Sequence, residues 1–532
     1  MGVWILVALS VASAVATTLA FPAFNLGILA WVSLAPLLFA LRRTRPLGSA
    51  GLGLVFGCCL AAGVFYWLGF IPSTTVLTTM LMYLGFALYY SIYGLLYSRL
   101  RYLSATAALI ATPALWVALE YARANLFFLA LPWNLLGHSQ YRYVPLLQIS
   151  DVTGIYGVSF LLVMTNQFAS HLLEHVAEWW RPSVSLGTFS ATWKPQATML
   201  VLVVTVTLSY GFVRLAAPDG RGHLRVAVVQ ANVLTRDRMS SQEQIEHLSA
   251  YDRLTREAAK ERPDLIVWPS SSLPGPLESR VSSVIVRRAA RDTGTYLLVG
   301  GAGGDKFTPA RDGLLPYSNS ELLVAPSGRV EGQYNKIRLT PFNEYVPLRG
   351  TIQLPGWITT LKASFAAGAD YTLFQIGEAR FGAPICWENT FPDAFRRFVR
   401  DGANFMVSVT NEGFFGHTAG PYQTLAMNVF RAVENRVTIA RAATTGVSGF
   451  ISPKGEVLER VMDSEGRDLF VSGVVVRDVP LSDTKTFYTL YGDVFAHVLI
   501  AVAAASIFVA LLARRKPVNA PSPSGAHVPA VH

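Results

Sequence analysis

Charge is scarce in this chain. Of 532 residues only 15% are charged while 52% are hydrophobic, which excludes a disordered protein and does not suit an ordinary water-soluble enzyme. Cysteine is scarcer still, with Cys58, Cys59 and Cys386 the only three. The C-terminal half therefore has no disulfide framework, and its lone thiol is either a small buried hydrophobe or one kept for reactivity. No cluster of His, Cys and Asp has zinc-ligand spacing, and His417 stands alone, so no metal is expected. The run Gly300-Gly-Ala-Gly-Gly304 lacks Walker spacing and a following Lys-Ser/Thr. It reads as a turn leaving a strand, and no dissociable cofactor is expected.

The charge that is present falls unevenly. Residues 1–214 hold 10 Lys/Arg and 4 Asp/Glu, whereas residues 215–493 hold 31 and 30. The net +10 leaves only +1 on the charge-rich part, so no basic face for nucleic acid is expected. The two compositions predict a membrane domain over 1–214, a globular domain over 215–493, a further span over 494–513 and a tail over 514–532.

A helix needs about 20 apolar residues to cross a bilayer. Eight segments suit that, near 3–21, 26–41, 50–71, 75–97, 104–121, 152–172, 197–213 and 494–513, with a soft boundary between the first two. Loops on one side carry Arg42, Arg43, Arg45, Arg99, Arg101, Arg181 and Lys194, joined by Arg514, Arg515 and Lys516. The opposite short loops carry Arg123 and Arg142. The positive-inside rule then puts both termini in the cytoplasm and residues 215–493 outside, in the periplasm of a bacterial cell. Small residues at 12–16 also suit a signal-peptide cleavage site, but no Lys or Arg precedes the apolar run and a second span follows closely.

The outer domain alternates strand and helix patterns. Strands are expected at 224–230, 265–268 and 296–299, with helices at 243–260 and 279–293 between them. A hairpin over 320–325 and 330–334, strands at 380–386 and 404–410, a helix at 421–434 and a strand pair at 438–451 and 456–461 complete a layered α/β sandwich. Polar residues gather after three strands, in Trp268-Pro-Ser-Ser-Ser-Leu-Pro274, Asn335 to Pro347 and Ala383 to Pro392. Loops held by a rigid sheet are where catalytic groups commonly sit.

On these stretches the chain resembles the apolipoprotein N-acyltransferases, membrane enzymes of the nitrilase-like superfamily. The resemblance runs through Pro132-Trp133, Leu136 to Gln140, Gly154 to Phe160, Val229-Gln230 and Asn232. It continues through Pro341-Phe342, Glu344 to Pro347, Ile385-Cys386, Glu388, Gly420 to Gln423, Arg431 to Arg436 and Arg441 to Gly446. It implies a polytopic helical membrane domain plus an αββα nitrilase-like domain, in a monomer of the bacterial inner membrane with the catalytic domain on the periplasmic side. The implied reaction is acyl transfer from a membrane phospholipid, through a thioester, to the α-amine of the diacylglyceryl-modified N-terminal cysteine of apolipoproteins. Cys386 is then the nucleophile and Lys336 the cation that lowers its pKa and stabilises the oxyanion. Glu344 orients Lys336, and Glu388 shapes the site. The aromatic loop Asn125 to Tyr143 suits either an interfacial position or internal packing.

The chain departs from the family at one catalytic position. Where the family has Trp-Pro-Glu, with that glutamate as general base, this sequence has Trp268-Pro269-Ser270. The family's Lys-Trp pair is also absent from Asn232 to Gln242, and its Trp-Phe-Gly loop reads Phe414-Phe415-Gly416. A serine hydroxyl is no base near neutral pH, and losing a positioned base costs about 10²- to 10⁴-fold in rate. Three readings of Ser270 stay open: an engineered substitution, the mark of an impaired paralogue that binds lipid or lipoprotein, or a natural variant whose base has moved, with Glu344 the first candidate. A nitrilase-like amidase is the other alternative.

Overall fold

A computed structural model describes residues 2–71, 74–179, 186–234, 239–304, 317–348, 351 and 364–515. Arg181 and the tail from Lys516, which carry part of the orienting charge, lie outside the described residues. The first half is helical: α1 (Val3–Ala20), α2 (Ala35–Arg42), α3 (Pro46–Val64), α4 (Val76–Leu100), α5 (Ala105–Asn125), the short α6 (Val144–Leu147) and α7 (Ser150–Thr153), α8 (Ile155–Trp179) and α9 (Leu186–Leu215). Among the described residues six helices are long and apolar enough to cross a membrane, and α8 with the α6–α7 segment, bent by 118°, passes the same test together as a broken span or a re-entrant loop. Small residues let these helices approach closely. A Cβ on Gly53 would lie 2.1 Å from the Tyr90 carbonyl oxygen of α4, and one on Gly94 2.2 Å from that of Ser49 in α3.

The expected span at 26–41 is shorter than the others. It is a 3-10 turn, Gly27–Trp31, followed by the eight-residue α2. The break is chemically stabilised, because the Asn166 side chain accepts the N–H groups of Leu34 and Ala35 at 2.7 and 3.0 Å and so starts a new helix inside the bundle.

Among the described residues twelve strands and the remaining helices form the second half. The first sheet has the order β12-β1-β2-β3-β4-β5 and the second β11-β10-β9-β8-β7-β6. In chain order the strands are β1 (His223–Gln230), β2 (Leu265–Val267), β3 (Tyr296–Gly304), β4 (Tyr317–Val324), β5 (Val330–Asn335), β6 (Phe374–Ile376), β7 (Ala379–Gly382), β8 (Phe405–Thr410), β9 (Ile439–Ala443), β10 (Gly449–Ile451), β11 (Val457–Arg460) and β12 (Gly473–Pro480). Helices α10 (Ser241–Ala259) and α11 (Arg280–Thr293) cover the first sheet; α12 (Pro392–Arg400) and α13 (Gly420–Asn435) lie on the second. The short α14 (Phe487–Tyr491) leads to the apolar α15 (Val494–Arg515), which packs on α5.

Alternation along β1 to β4 sorts the core. Ala227, Val229, Ile266, Trp268, Leu297 and Val299 pack against Leu248, Tyr251, Leu254 and Val286 of the covering helices. Val226, Val228, Leu265, Val267, Leu298 and Leu323 belong to the core between the sheets. The fold is thus a four-layer αββα sandwich joined to a membrane helix domain.

Three local expectations are corrected. The glycine run is not a turn but the end of β3, and crowding explains its composition. A Cβ on Gly300 would lie 2.6 Å from Glu321 Oε1 and 2.8 Å from Ser270 Cα, and one on Gly303 2.2 Å from Ser320 Oγ. The region 438–451 is two strands, since Thr444 to Ser448 turn the chain between β9 and β10. Strand β7 stops at Gly382, so Cys386 lies beyond it rather than within it.

Candidate active site

Cys386 opens a 3-10 turn, Cys386–Thr390, just after Ile385 bridges Val409 of β8. Its φ is +50°, in the left-handed region, a conformation costing about 1–3 kcal/mol that persists only when the surroundings impose it. They do so here. Asn389 Nδ2 donates to the carbonyls of Pro384 and Val409, both at 3.1 Å, and the Ile385 N–H donates to Glu388 Oε2 at 2.9 Å. The thiol is consequently carried past the strand end, half-buried.

Glu388 joins the two sheets. Its buried carboxylate also accepts the N–H groups of Ile337 and Arg338, at 2.8 and 2.9 Å, and the Tyr334 hydroxyl at 2.9 Å. One side chain therefore holds the thiol turn of the second sheet against the segment leaving β5 of the first. Burial pushes the Glu388 carboxyl up, opposed by the Ile385 and Arg338 amides and by Lys336.

Lys336 follows β5, and its N–H donates to the Asn319 carbonyl at 2.8 Å. Its side chain is only 1% exposed, and Nζ donates to Glu344 Oε2 at 2.6 Å and to Thr340 Oγ1 at 3.2 Å. Glu344 also accepts the Thr340 N–H at 2.7 Å and Asn319 Nδ2 at 3.1 Å. Burial pulls the ammonium down, but the charges of Glu344, Cys386 and Glu388 outweigh it and raise Lys336 above its usual 10.5. Burial pushes Glu344 up, yet Lys336, the Thr340 amide and Asn319 prevail and hold it below its usual 4.5. The result is a buried ion pair beside the segment that Glu388 bonds to the thiol turn.

Cys386, Lys336, Glu344 and Glu388 are thus brought together, whereas Ser270 is hydrogen-bonded to none of them. It is 1% exposed beyond β2, and its hydroxyl has no hydrogen-bond partner among the described residues. Among the described residues no group of three or more His, Cys, Asp or Glu could hold a metal ion.

Sequence reasoning named Trp133, Phe415 and Gln423 but not the contacts by which, with Trp67 and Trp387, they tie this site to the membrane domain. Trp387, next to the thiol, stacks on Trp133 with ring centroids 6.1 Å apart. Trp133 Nε1 and Trp67 Nε1 donate to the same oxygen, Gln423 Oε1 in α13, at 2.8 and 3.0 Å. Gln423 Nε2 in turn donates to the Val64 carbonyl at 2.9 Å, and Phe415 meets Trp67 edge-on. In the aromatic loop Trp133 and Tyr141 are buried and Phe127 is 85% exposed. Tyr334 and Asn319 were also missed, as inward residues of ordinary-looking strands.

The sequence model of the apolipoprotein N-acyltransferase N-terminal domain matches residues 13–168, and that of carbon-nitrogen hydrolases matches residues 225–488. An apolipoprotein N-acyltransferase of Geobacter metallireducens is 37% identical over 96% of this chain and 96% of its own. One from Chlorobaculum tepidum is 29% identical over 93% and 94%. Among solved structures, a mutant of the amidase from Nesterenkonia sp. AN1 is 20% identical, with 52% of this chain and 99% of that chain covered and a TM-score of 0.35. With helices, sandwich and relatives in agreement along its length, the chain belongs to the apolipoprotein N-acyltransferase family, within the nitrilase-like superfamily.

Proposed function

We propose that the chain is a phospholipid:apolipoprotein N-acyltransferase. Cys386 attacks the carbonyl carbon of a phospholipid ester, releases a lysophospholipid and becomes a thioester. The α-amine of a lipoprotein's diacylglyceryl-modified N-terminal cysteine then takes the acyl chain and frees the thiol. Lys336 keeps a positive charge beside the sulfur and the developing oxyanion, where a preorganised donor acts on the transition state more than on the ground state. Glu344 holds that ammonium charged and in place, and Glu388 sets the thiol turn. The observation that carries this reading is the buried Lys336–Glu344 pair beside the segment that Glu388 ties to the Cys386 turn.

Location supports the substrate class. Both substrates are anchored in a bilayer by acyl chains, so holding the thiol against membrane helices raises effective concentration and limits orientation. The proposed division is a membrane domain over 1–214, the catalytic domain over 215–493, a last span over 494–513 and a cytoplasmic tail over 514–532. Loop charge supports the bacterial inner membrane, with the catalytic domain on the periplasmic side.

The test is to incubate purified full chain with phospholipid in detergent micelles and to weigh it. A palmitoyl-sized mass on Cys386, discharged by a diacylglyceryl-cysteine peptide with a free amine, is expected. Lipid binding without any adduct would instead identify a noncatalytic binding protein, and hydrolysis of soluble amides without an adduct would identify an amidase.

A further inference from the structure

The thiol and the ammonium lack an unengaged base among the carboxylates already described. Glu344 accepts from Lys336, Thr340 and Asn319, and Glu388 accepts from three backbone N–H groups and Tyr334. A carboxylate whose charged form is so well bonded is a poor proton acceptor, because those bonds weaken when it is protonated.

A third carboxylate on this face makes no hydrogen bond among the described residues. Glu321 of β4 is fully buried, and neither of its oxygens has a hydrogen-bond partner among the described residues. Such a group is costly, and folded proteins retain few of them. Its position is defined by the sheet. Alternation puts Glu321 on the same face of β4 as Asn319, which bonds Glu344. Register places it opposite Tyr334 of β5, which bonds Glu388, and opposite Gly300 of β3. Lys336 follows Tyr334 on that same face.

Gly300 makes the room. The point where its Cβ would stand is 2.6 Å from Glu321 Oε1, 2.7 Å from the Ser271 nitrogen and 2.8 Å from Ser270 Cα. The carboxylate and the Ser270 backbone therefore converge over one glycine, and the buried Ser270 hydroxyl also lacks a partner among the described residues. The small residue at 270 thus lies beside a buried carboxylate supplied by a neighbouring strand.

We propose that Glu321, reaching over Gly300 into the space beside Ser270, is the general base of the Cys386 site. The role rests on the acyl-transfer reading above. In the first half-reaction Glu321 takes the Cys386 S–H proton as the sulfur bonds to the ester carbonyl carbon. It returns that proton to the glycerol oxygen as the carbon–oxygen bond breaks. In the second, it takes a proton from the attacking amine as the carbon–nitrogen bond forms and returns one to the sulfur as the thioester breaks. Burial pushes the Glu321 carboxyl well above the usual carboxylate range, so it holds a proton more tightly than an exposed glutamate does.

The experiment measures the rate of acyl-adduct formation on Cys386, with the full chain in phospholipid–detergent micelles, together with the melting temperature. Glu321→Gln is expected to slow the adduct by about 10²- to 10⁴-fold without lowering the melting temperature, since a neutral amide replaces an uncompensated acid. The double variant Ser270→Glu with Glu321→Ala moves the carboxylate back across Gly300 and is expected to recover a large part of the parental rate. A Glu321→Gln rate equal to the parent's overturns the proposal and leaves the thioester reading standing. A slow Glu321→Gln that the double variant does not restore assigns Glu321 to packing and also overturns it. A parent that never forms the adduct overturns the acyl-transfer reading itself.

Discussion

Replacing Glu344 with glutamine isolates what the buried ion pair does. In the parent, the Lys336 ammonium has one charged partner at 2.6 Å and one neutral acceptor, Thr340 Oγ1, at 3.2 Å. Glutamine keeps the shape and one acceptor oxygen but removes the negative charge. Breaking a buried pair from one side costs about 3–5 kcal/mol, because the remaining charge is left uncompensated. The lysine relieves part of that cost by losing its proton, so its pKa falls as burial goes less opposed. The sign of the pH effect follows. Lys336 is raised above 10.5, so in the parent its contribution holds at lower pH and is lost as pH rises through that raised value. Glu344 is depressed below 4.5, so its contribution holds above 4.5 and is lost as pH falls through the depressed value. The parental pair is therefore intact between the two. In Glu344→Gln, acyl-adduct formation on Cys386, followed by quenching and mass measurement, should fall by about 10²- to 10³-fold, the scale for losing an oxyanion donor. A new alkaline decline should appear inside the parental plateau. An alkaline limb identical to the parent's, at an undiminished rate, would refute the claim that this carboxylate keeps the ammonium charged.

Glu388→Gln leaves the Ile385 N–H facing an amide NH₂ instead of a carboxylate oxygen, which costs about 2–4 kcal/mol with the lost charge assistance; a lower melting temperature and faster exchange of the Ile385 amide would show it. Gln423→Leu removes the shared acceptor of two indole N–H groups and the donor to Val64, so the chain should melt earlier and acylate more slowly, whereas unchanged melting would mean the indoles find other acceptors. Gly300→Ala drives a methyl group against Glu321 and Ser270, an overpacking cost of about 1–3 kcal/mol that should appear in both the melting temperature and the acylation rate.

The elements that sequence pattern exposes are those whose burial is continuous. Strands β1 and β2 stand out as apolar runs of β-branched residues because both faces of each strand are covered. Strand β12 pairs with β1 along its whole length, from His223↔Pro480 to Gln230↔Gly473, yet its charged Arg477-Asp478 and terminal proline concealed it, as suits an edge strand. β6 is three residues long and offers too little pattern. The glycine run misled because glycine usually interrupts strands, and only the side chain and backbone lying over it explain its presence in one. At the site, Lys336 and Glu344 are eight residues apart and their pairing is local, so loop chemistry makes them visible. Glu321 was invisible for the opposite reason. Among serines and asparagine a glutamate looks solvent-facing, and only the register with Gly300 and Tyr334 turns it inward. Trp67 and Gln423 are separated by 356 residues, beyond the reach of any periodicity.

On the proposed reading the chemistry is divided between two sheets that fold from distant stretches of chain. The first would supply Lys336, Glu344 and Glu321 and the second Cys386, and Glu388, in the thiol turn itself, bonds backbone on both sides. The residue after Cys386, Trp387, stacks on Trp133 of the loop between α5 and α6 in the membrane domain. Trp133 is itself fixed by the Gln423 oxygen that also holds Trp67. The surroundings of the thiol turn therefore include a ring contributed by the membrane domain. On the acyl-transfer reading, the contacts that shape the nucleophile's surroundings are the same ones that hold it beside the bilayer. Loosening Gln423 should therefore disturb acylation even though no atom of that side chain takes part in the bond changes.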